Sequence, residues 1–365
     1  MNGPRRLLLG GLVAILAIVM VEALAGILVG PRFAVDLEIP LRAADRWLAG
    51  QPPYLPDAFL APAGASLPFL YPPYTLPFLA ALDQIPRSAI EGVGLVALAV
   101  CAVVACRRLA IPWPWVAFVV AWPPFSEGIV TGNVQIALFT AFAYLFFAPG
   151  GSPWRPRPRD ISDPSTSGAM VAALATVIGA IKVSQPHPWA AAMRHRPRAA
   201  VAGLVAGAVV VLATLPLTGT QLWFDWLNQL RLAGDPTWDI GGVALSRYLP
   251  AGVGFAVAIA CVAAAFFVPR RSAGAWVGLL SVIGALSLHT FGLLFLIPAM
   301  LVIRREVALL VAILIASYTL EGTWAGIALC SLAFAASSRW PELRETRTAL
   351  DGVRPSRGPV LSRLG

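Results

Sequence analysis

The sequence predicts an all-α protein that crosses a membrane many times. Hydrophobic residues make up 58% of the 365 residues and charged residues only 12%, whereas an ordinary soluble domain carries about 25% charged residues. The mean hydropathy is +0.76. The apolar residues form unbroken runs rather than the apolar–polar alternation of barrel strands. Helices are therefore the expected way to satisfy the backbone in lipid.

Arginine pairs between the apolar runs indicate the topology. The positive-inside rule places such pairs in the cytoplasm. With Arg5-Arg6, Arg107-Arg108, Arg270-Arg271 and Arg304-Arg305 inside, the runs alternate and give about ten to twelve membrane segments. The first run is too long for a signal peptide and is expected to be a retained helix. The net charge of +9 then reflects cytoplasmic loops, and no nucleic-acid partner is expected.

The domain organisation follows from this topology. Residues 1–338 are expected to form one transmembrane domain, with external loops at about 31–87 and 218–250, and residues 339–365 a basic, disordered cytoplasmic tail. The run WRPRPRD at 154–160 begins an internal loop that we expect to be flexible. The four cysteines lie in apolar runs without CxxC spacing. They indicate packing roles rather than a zinc site or disulfides.

The first external loop is predicted to contain an amphipathic helix lying on the bilayer surface. Charged and apolar residues between 38 and 49 separate onto two helical faces. Asp36 precedes this segment and has two interpretations, as the helix N-cap or as a general base at the membrane interface. Glu38 is a neighbouring candidate.

Three cationic or titratable side chains map to the same external side as Asp36. Lys182 ends an apolar run, Arg247 lies in the second loop, and His289 lies at the outer end of another run. Each could contact a phosphate oxygen, although Lys182 could instead snorkel to the interface and His289 could be a packing residue. Ionisable groups at membrane depth are costly and mark candidate sites. Together the four favour an enzyme acting on a lipid-linked phosphate.

Two further motifs contain polar residues. FLYPPYTLPF at 69–78 places Tyr71 before two prolines, and this tyrosine suits an interfacial aromatic belt. GIVTGNVQIALF at 128–139 opens a helix with Asn133 and Gln135. Amides at such positions typically form hydrogen bonds between membrane helices.

The order of these motifs resembles glycosyltransferase family 87, whose members have the multi-helix GT-C fold. The resemblance rests on Asp36; Leu48, Gly50 and Tyr54; Tyr71-Pro72-Pro73; Gly132, Asn133 and Gln135; Lys182, Gln185 and Pro186; Arg247; and Ser287, His289 and Pro298. The chain departs from the family at Asp239-Ile240-Gly241, where the loop motif tends to read Asn-Gln-Ser, and at Phe291-Gly292, where a Tyr-Asp pair is common.

The resemblance implies an inverting transfer of a sugar, most often mannose, from a polyprenyl-phosphate donor to a lipid or glycan acceptor. Asp36 would be the general base, at the external face of a bacterial plasma membrane. The donor phosphate would be held by Arg247, Lys182 and His289. Further site candidates are Glu38, Tyr71, Asn133, Gln135 and Asp239. No metal or other cofactor is expected, because a phosphate leaving group held by cations departs as an anion.

Two other functions remain open from the residues alone. A transporter or flippase of a lipid-linked substrate would also use a cavity with charged groups, although the sequence has no internal repeat of the kind common in transporters. A non-catalytic scaffold in envelope assembly would need none of the candidate residues. In each case membrane lipids are the surrounding partner.

Overall fold

The computed structural model describes residues 3–29, 33–55, 68–82, 84–163, 165–182, 185–233 and 242–352. Within these ranges the protein is almost entirely helical, as the composition predicts. The α-helices are α1 Gly3–Val29, α2 Val35–Leu48, α3 Leu76–Ala80, α4 Arg87–Arg108, α5 Trp113–Val120, α6 Pro123–Thr131, α7 Gln135–Phe146, α8 Gly168–Ile181, α9 His187–His195, α10 Pro197–Thr218, α11 Gln221–Ala233, α12 Ala251–Phe266, α13 Ala273–Ile283, α14 Ile297–Met300, α15 Arg305–Ala316 and α16 Leu320–Gly352. Short 3₁₀ helices are Pro73–Thr75, Leu245–Arg247, Arg270–Ser272 and Thr290–Leu296, and two strands are β1 Phe147–Ser152 and β2 Arg155–Pro158.

Four of the described helices are long and apolar enough to cross a bilayer on their own. They lie in α1, α4, α10 and the first part of α16. A helix of 20 residues is about 30 Å long, which matches the hydrocarbon core. The fold is therefore a polytopic helix bundle.

The remaining apolar segments are shorter or bent. Helices α7 and α8 have 12 and 14 residues, and α12 and α13 form a pair bent by 119° that could make one span. Short and broken helices are tolerated at membrane depth where neighbouring protein satisfies the backbone. Ten to twelve crossings stays a prediction.

The interior contains a cluster of phenylalanine rings between α7 and the 3₁₀ helix Thr290–Leu296. Phe295 packs edge-on against Phe139 and Phe142, with ring centroids 5.5 and 5.0 Å apart. The long helices show the opposite pattern on their outer faces, where Val93 of α4 is 71% exposed and Leu212 of α10 is 65% exposed. Such apolar outer faces are expected where lipid is the solvent.

The amphipathic helix predicted in the first loop is present as α2. Its Leu41, Ala43 and Ala44 are buried. A second apolar cluster connects this helix to the second loop, through Tyr54 and Phe69 on one side and Trp226 of α11 on the other. The Trp226 Nε1 group donates to the Leu70 carbonyl oxygen at 3.0 Å. The two predicted external loops therefore pack against each other.

Two expectations about irregular segments differ from the structure. The WRPRPRD segment, expected to be a flexible loop, contains strand β2, which pairs with β1 in a two-stranded antiparallel hairpin. Its prolines are tolerated because a two-stranded sheet consists of edge strands. The tail was expected to be disordered from 339, but α16 continues to Gly352, through a segment rich in the helix formers Glu, Leu, Arg and Ala. Residues 353–365 lie outside the described residues.

Close packing of α13 against the 3₁₀ helix depends on Gly278. A Cβ atom at this position would lie 2.2 Å from the Phe295 carbonyl oxygen. We expect Gly278→Ala to destabilise the protein by about 1–3 kcal/mol, the usual cost of overpacking. Thermal unfolding in detergent measures the effect, with Gly252→Ala as control because nothing lies within 4 Å of a Cβ there. Equal unfolding temperatures for the two variants would contradict this packing.

Candidate functional site

Asp36 lies inside the first turn of α2 rather than before it. The N-cap is Ala34, which has a left-handed backbone (φ 52°) and no side chain that could cap the helix. The N-cap interpretation of Asp36 is therefore wrong, because α2 begins one residue before the aspartate. The Ala34 amide donates to the Val130 carbonyl oxygen at 2.8 Å. This bond fixes the start of α2 against α6.

The carboxylate of Asp36 accepts a hydrogen bond from Asn133. The distance from Asn133 Nδ2 to Asp36 Oδ2 is 3.0 Å. The side-chain oxygen Oδ1 of Asn133 in turn accepts the backbone amide of Gln135 at 2.9 Å, at the start of α7. Asn133 is buried, so its side chain orientation is determined at both ends. The aspartate is thus held in a defined position by a neutral donor.

Gly132 allows α2 to approach this junction. It has a left-handed conformation (φ 78°) and follows the last residue of α6, a position where glycine commonly ends a helix. A Cβ atom on Gly132 would lie 2.8 Å from Cβ of Leu37. In the pair Gly132-Asn133, the glycine therefore lets α2 come close and the asparagine binds Asp36.

Lys182 is the C-cap residue of α8. It lies close enough to Asp36 for the two charges to interact. Its Nζ atom is 5.2 Å from the ring centroid of Phe291, a cation–π distance. The Lys182 carbonyl oxygen accepts the Gln185 amide at 2.8 Å. The Gln185 side chain accepts a hydrogen bond from Gln135 at 3.0 Å. Both glutamines are buried, and they connect the lysine turn to α7.

His289 and Arg247 meet through the backbone of Gly242. His289 precedes the 3₁₀ helix Thr290–Leu296, and its ring is stacked near Phe291 with centroids 5.4 Å apart. Gly242 pairs with Leu288 in an isolated parallel bridge, and a Cβ atom on Gly242 would lie 2.9 Å from His289 Nδ1. Arg247 Nη1 donates to the Gly242 carbonyl oxygen at 3.0 Å. The second loop is thereby held beside the histidine.

Tyr71 lies close enough to Asp36 for the two to interact electrostatically. Burial, and secondarily the negative charge of Asp36, raise the pKa of the Tyr71 phenol. The Tyr71 carbonyl oxygen accepts the hydroxyl of Tyr54 at 2.8 Å. This bond ties the Y-P-P segment to the residues that follow α2.

Two of the predicted candidates do not join this group. Glu38 forms an ion pair with Arg42 one helical turn along α2, at 2.6 Å, and its side chain is substantially exposed. Asp239 lies outside the described residues. Of the two α2 carboxylates predicted as candidates, Asp36 is therefore the one that contacts the buried Asn133.

A cavity of about 250 Å³ lies between α2, α3 and the start of α4. Its lining is Leu41, Asp45, Leu79, Gln84, Ile85, Pro86, Arg87 and Ile90. None of the described site candidates lines it. Asp45, which does, lies on the opposite face of α2 from Asp36. Among the described residues there is no cluster of three or more His, Cys, Asp or Glu side chains that could hold a metal ion.

Some residues of the region were not identified as site candidates by sequence reasoning. Phe291 links Lys182 to His289, and Gly242 links His289 to Arg247. Both looked like ordinary apolar or loop residues, and only the fold shows their position between distant motifs. His187, by contrast, is a weaker candidate from the sequence because it follows Lys182 closely. It is fully buried, with no hydrogen-bond partner for either ring nitrogen in the described part of the chain.

The comparison with protein families decides the assignment. The family model named Glycosyltransferase family 87 matches residues 69–250, about half of the chain. The chain belongs to glycosyltransferase family 87. It is thus a membrane glycosyltransferase, in agreement with the resemblance found in the sequence. No curated protein and no solved structure matches the chain.

The family match covers part of the candidate site. Within it lie Tyr71, Asn133, Gln135, Lys182, Asp239 and Arg247. Asp36 and His289 lie outside it, before and after the matched residues. In the structure Asp36 contacts the matched part through Asn133. His289 is stacked near Phe291, whose ring in turn lies beside Lys182 of the matched part.

Replacing Gly132 by alanine tests the docking of α2. The left-handed backbone costs a non-glycine residue about 1–2 kcal/mol, and the new Cβ would also push against Leu37. We expect hydrogen exchange of peptides from Val35–Leu48 to become faster in Gly132→Ala. Gly92→Ala in α4 is the control, since a Cβ there meets nothing within 4 Å. Unchanged exchange in the Gly132 variant would contradict the docking.

Proposed function

We propose that this glycosyltransferase transfers a sugar, which we expect to be mannose, from a polyprenyl-phosphate donor to a lipid or glycan acceptor. The transfer inverts the configuration of the sugar, and Asp36 is the general base. The reaction takes place at the external face of a bacterial plasma membrane. The observation that carries the proposal is the position of Asp36, which accepts a hydrogen bond from Asn133 while its charge reaches Lys182. One carboxylate and one cation are therefore close together, and the cation, Lys182, lies within the family-matched residues.

Asp36 suits the role of base for a geometric reason. Its Oδ2 atom accepts a hydrogen bond from a neutral amide, and among the described residues no arginine or lysine forms a salt bridge with it, so the carboxylate is oriented by a neutral partner. A general base must lie within hydrogen-bond reach of the proton that it accepts. Here the base would accept the proton of an acceptor hydroxyl.

The cationic side chains suit the leaving group. As the acceptor oxygen attacks the anomeric carbon, the bond from that carbon to the phosphate oxygen breaks, and its electron pair leaves with the polyprenyl phosphate. The phosphate gains one negative charge in this step. Lys182, Arg247 and His289 stabilise that charge, which is most effective in a water-poor site. The hydroxyl proton passes to Asp36, so the atoms and charges balance.

Exposed apolar side chains in the second loop support a lipid donor. The cluster of Tyr54, Phe69 and Trp226 joins the two loops next to α2. Phe224 and Leu227 of α11 expose large apolar side chains, and such amphipathic helices lie in the bilayer interface. A donor whose chain remains in the membrane would reach the site along this interface.

Transfer of labelled sugar from a panel of polyprenyl-phosphate sugars to membrane lipid extract tests the catalytic role of Asp36. We expect Asp36→Asn to reduce the turnover rate at least about 100-fold, the lower range of general base contributions. Glu38→Gln is the matched control, because it removes a charge from the same helix at an exposed ion pair. Asp36→Asn with wild-type turnover, or no transfer from any donor, would favour the transporter or scaffold instead.

Binding of a radiolabelled polyprenyl phosphate tests the role of Lys182 separately from catalysis. We expect Lys182→Gln to weaken binding about tenfold, equivalent to about 1.4 kcal/mol. Lys182→Arg keeps the charge and should retain most of the affinity, and Asp36→Asn should bind at least as well as wild type because it removes a nearby negative charge. Wild-type affinity in Lys182→Gln would rule out the assigned role.

A further inference from the structure

A second charged region lies at the opposite end of α4 from the candidate site. The first residue of α4, Arg87, pairs with Asp45 of α2, so this end of the helix lies on the side of the candidate site. The helix has 22 residues and is thus about 33 Å long. This length is close to the thickness of the hydrocarbon core. Its last residue, Arg108, therefore lies at the other membrane surface.

The β-hairpin formed by β1 and β2 packs against the turn that follows α4. The Trp154 amide donates to the Ala110 carbonyl oxygen at 2.9 Å. The rings of Trp154 and Trp115 make an edge contact with centroids 5.9 Å apart. Gly151 approaches Ala110 so closely that a Cβ atom would lie 2.9 Å from the alanine Cβ. The hairpin is thus a fixed part of this corner of the bundle.

The hairpin places Arg159 beside Arg108. The Arg159 amide donates to the Phe146 carbonyl oxygen at 2.8 Å, which holds the residue next to the end of α7. The guanidinium of Arg108 lies 4.4 Å from the ring centroid of Tyr144, also in α7. Arg159 and Arg108 are close enough for their positive charges to interact. Two half-buried arginines are therefore held next to each other by fixed elements.

Neither arginine has a counter-ion in the part of the chain that the structure describes. The Nε atoms of Arg108 and Arg159 are both shielded and without a hydrogen-bond partner. The nearest acidic residue in sequence, Asp160, accepts hydrogen bonds from the amide and the hydroxyl of Ser162. Buried donors without partners and adjacent like charges are both unfavourable. An anion bound between the two guanidinium groups would relieve both penalties.

The surroundings of this pair are those of a membrane interface. Trp113, Trp115 and Tyr144 are 63%, 38% and 38% exposed. Tryptophan and tyrosine are enriched at the level of lipid headgroups. Arginine forks match the oxygens of a phosphate group, and basic pockets between membrane helices bind anionic headgroups.

We propose that Arg108 and Arg159 form a binding site for the headgroup phosphate of an anionic membrane lipid, on the membrane surface opposite the candidate active site. The guanidinium groups contact the phosphate oxygens. The exposed aromatic residues of the corner border the headgroup, and the acyl chains extend into the bilayer. The site is independent of the glycosyl transfer proposed for the other surface.

Native mass spectrometry of the detergent-purified full chain tests this site with two probes, phosphatidylglycerol and phosphatidylcholine of the same acyl chains. We expect wild type to bind phosphatidylglycerol at least tenfold more tightly. The double variant Arg108→Gln/Arg159→Gln should lose this preference. The control Arg155→Gln/Arg157→Gln removes the same charge from exposed positions of the same hairpin and should change the affinity less than twofold.

Three results would overturn the proposal. These are equal losses in the two double variants, no preference for the anionic lipid in wild type, and complete displacement of phosphatidylglycerol by inorganic phosphate at equal concentration. The last would indicate a site for a soluble anion. If Arg108→Gln/Arg159→Gln does not yield folded protein, the affinity of the single variant Arg159→Gln for phosphatidylglycerol is measured instead. Arg159 follows β2 and lies outside the membrane helices, so this variant is expected to fold. Its wild-type affinity would then exclude the site.

Discussion

The hydrogen bond from Asn133 to Asp36 couples the surface helix α2 to the membrane bundle, and the geometry of the site depends on it. Asn133 can make this bond because Gly132 ends α6 in a left-handed conformation and admits α2 at close range. The same asparagine begins α7 by accepting the Gln135 amide. One side chain therefore orients the carboxylate and begins the helix that carries the phenylalanine core.

Short helices give the bundle an interior that can hold polar groups. A bilayer favours long continuous helices, because every break leaves backbone groups that lipid cannot satisfy. Here the breaks occur at Lys182 after α8 and at His289 after α13. The freed backbone is paired within the protein, as in the bridge between Gly242 and Leu288. The cost of breaking the helices is thus offset at the places where the candidate site residues Lys182 and His289 lie.

The arginines at the two ends of α4 differ in their partners. On the side of the candidate site, Arg87 pairs with Asp45 and Arg42 with Glu38. At the other end of α4, Arg108 and Arg159 are close together, and no carboxylate of the described residues pairs with either. A protein embedded in lipid can leave such charges to an external anion, since lipid phosphates are concentrated at that depth.

Much of this arrangement was predictable from the sequence, because composition and spacing carry strong signals in a membrane protein. The apolar runs predicted the helices, amphipathic spacing predicted α2, and motif order predicted the family. The pairing of Asp36 with Asn133 was not predictable, since 97 residues separate them. The Phe291 contacts and the Arg159 hairpin also depend on tertiary packing. Proline-rich sequence suggested a loop at the hairpin, and only the edge-strand pairing with β1 explains the difference.

The anomeric configuration of the product tests the central claim most directly. One proposed base, Asp36, and the proposed cationic residues around the leaving phosphate favour a single displacement. Nuclear magnetic resonance of the product formed from a polyprenyl-phosphate sugar of known configuration would measure the outcome. The account predicts that the glycosidic bond formed has the opposite configuration to the donor. Retention of configuration would contradict it, because a single displacement from the face opposite the leaving phosphate inverts the anomeric carbon.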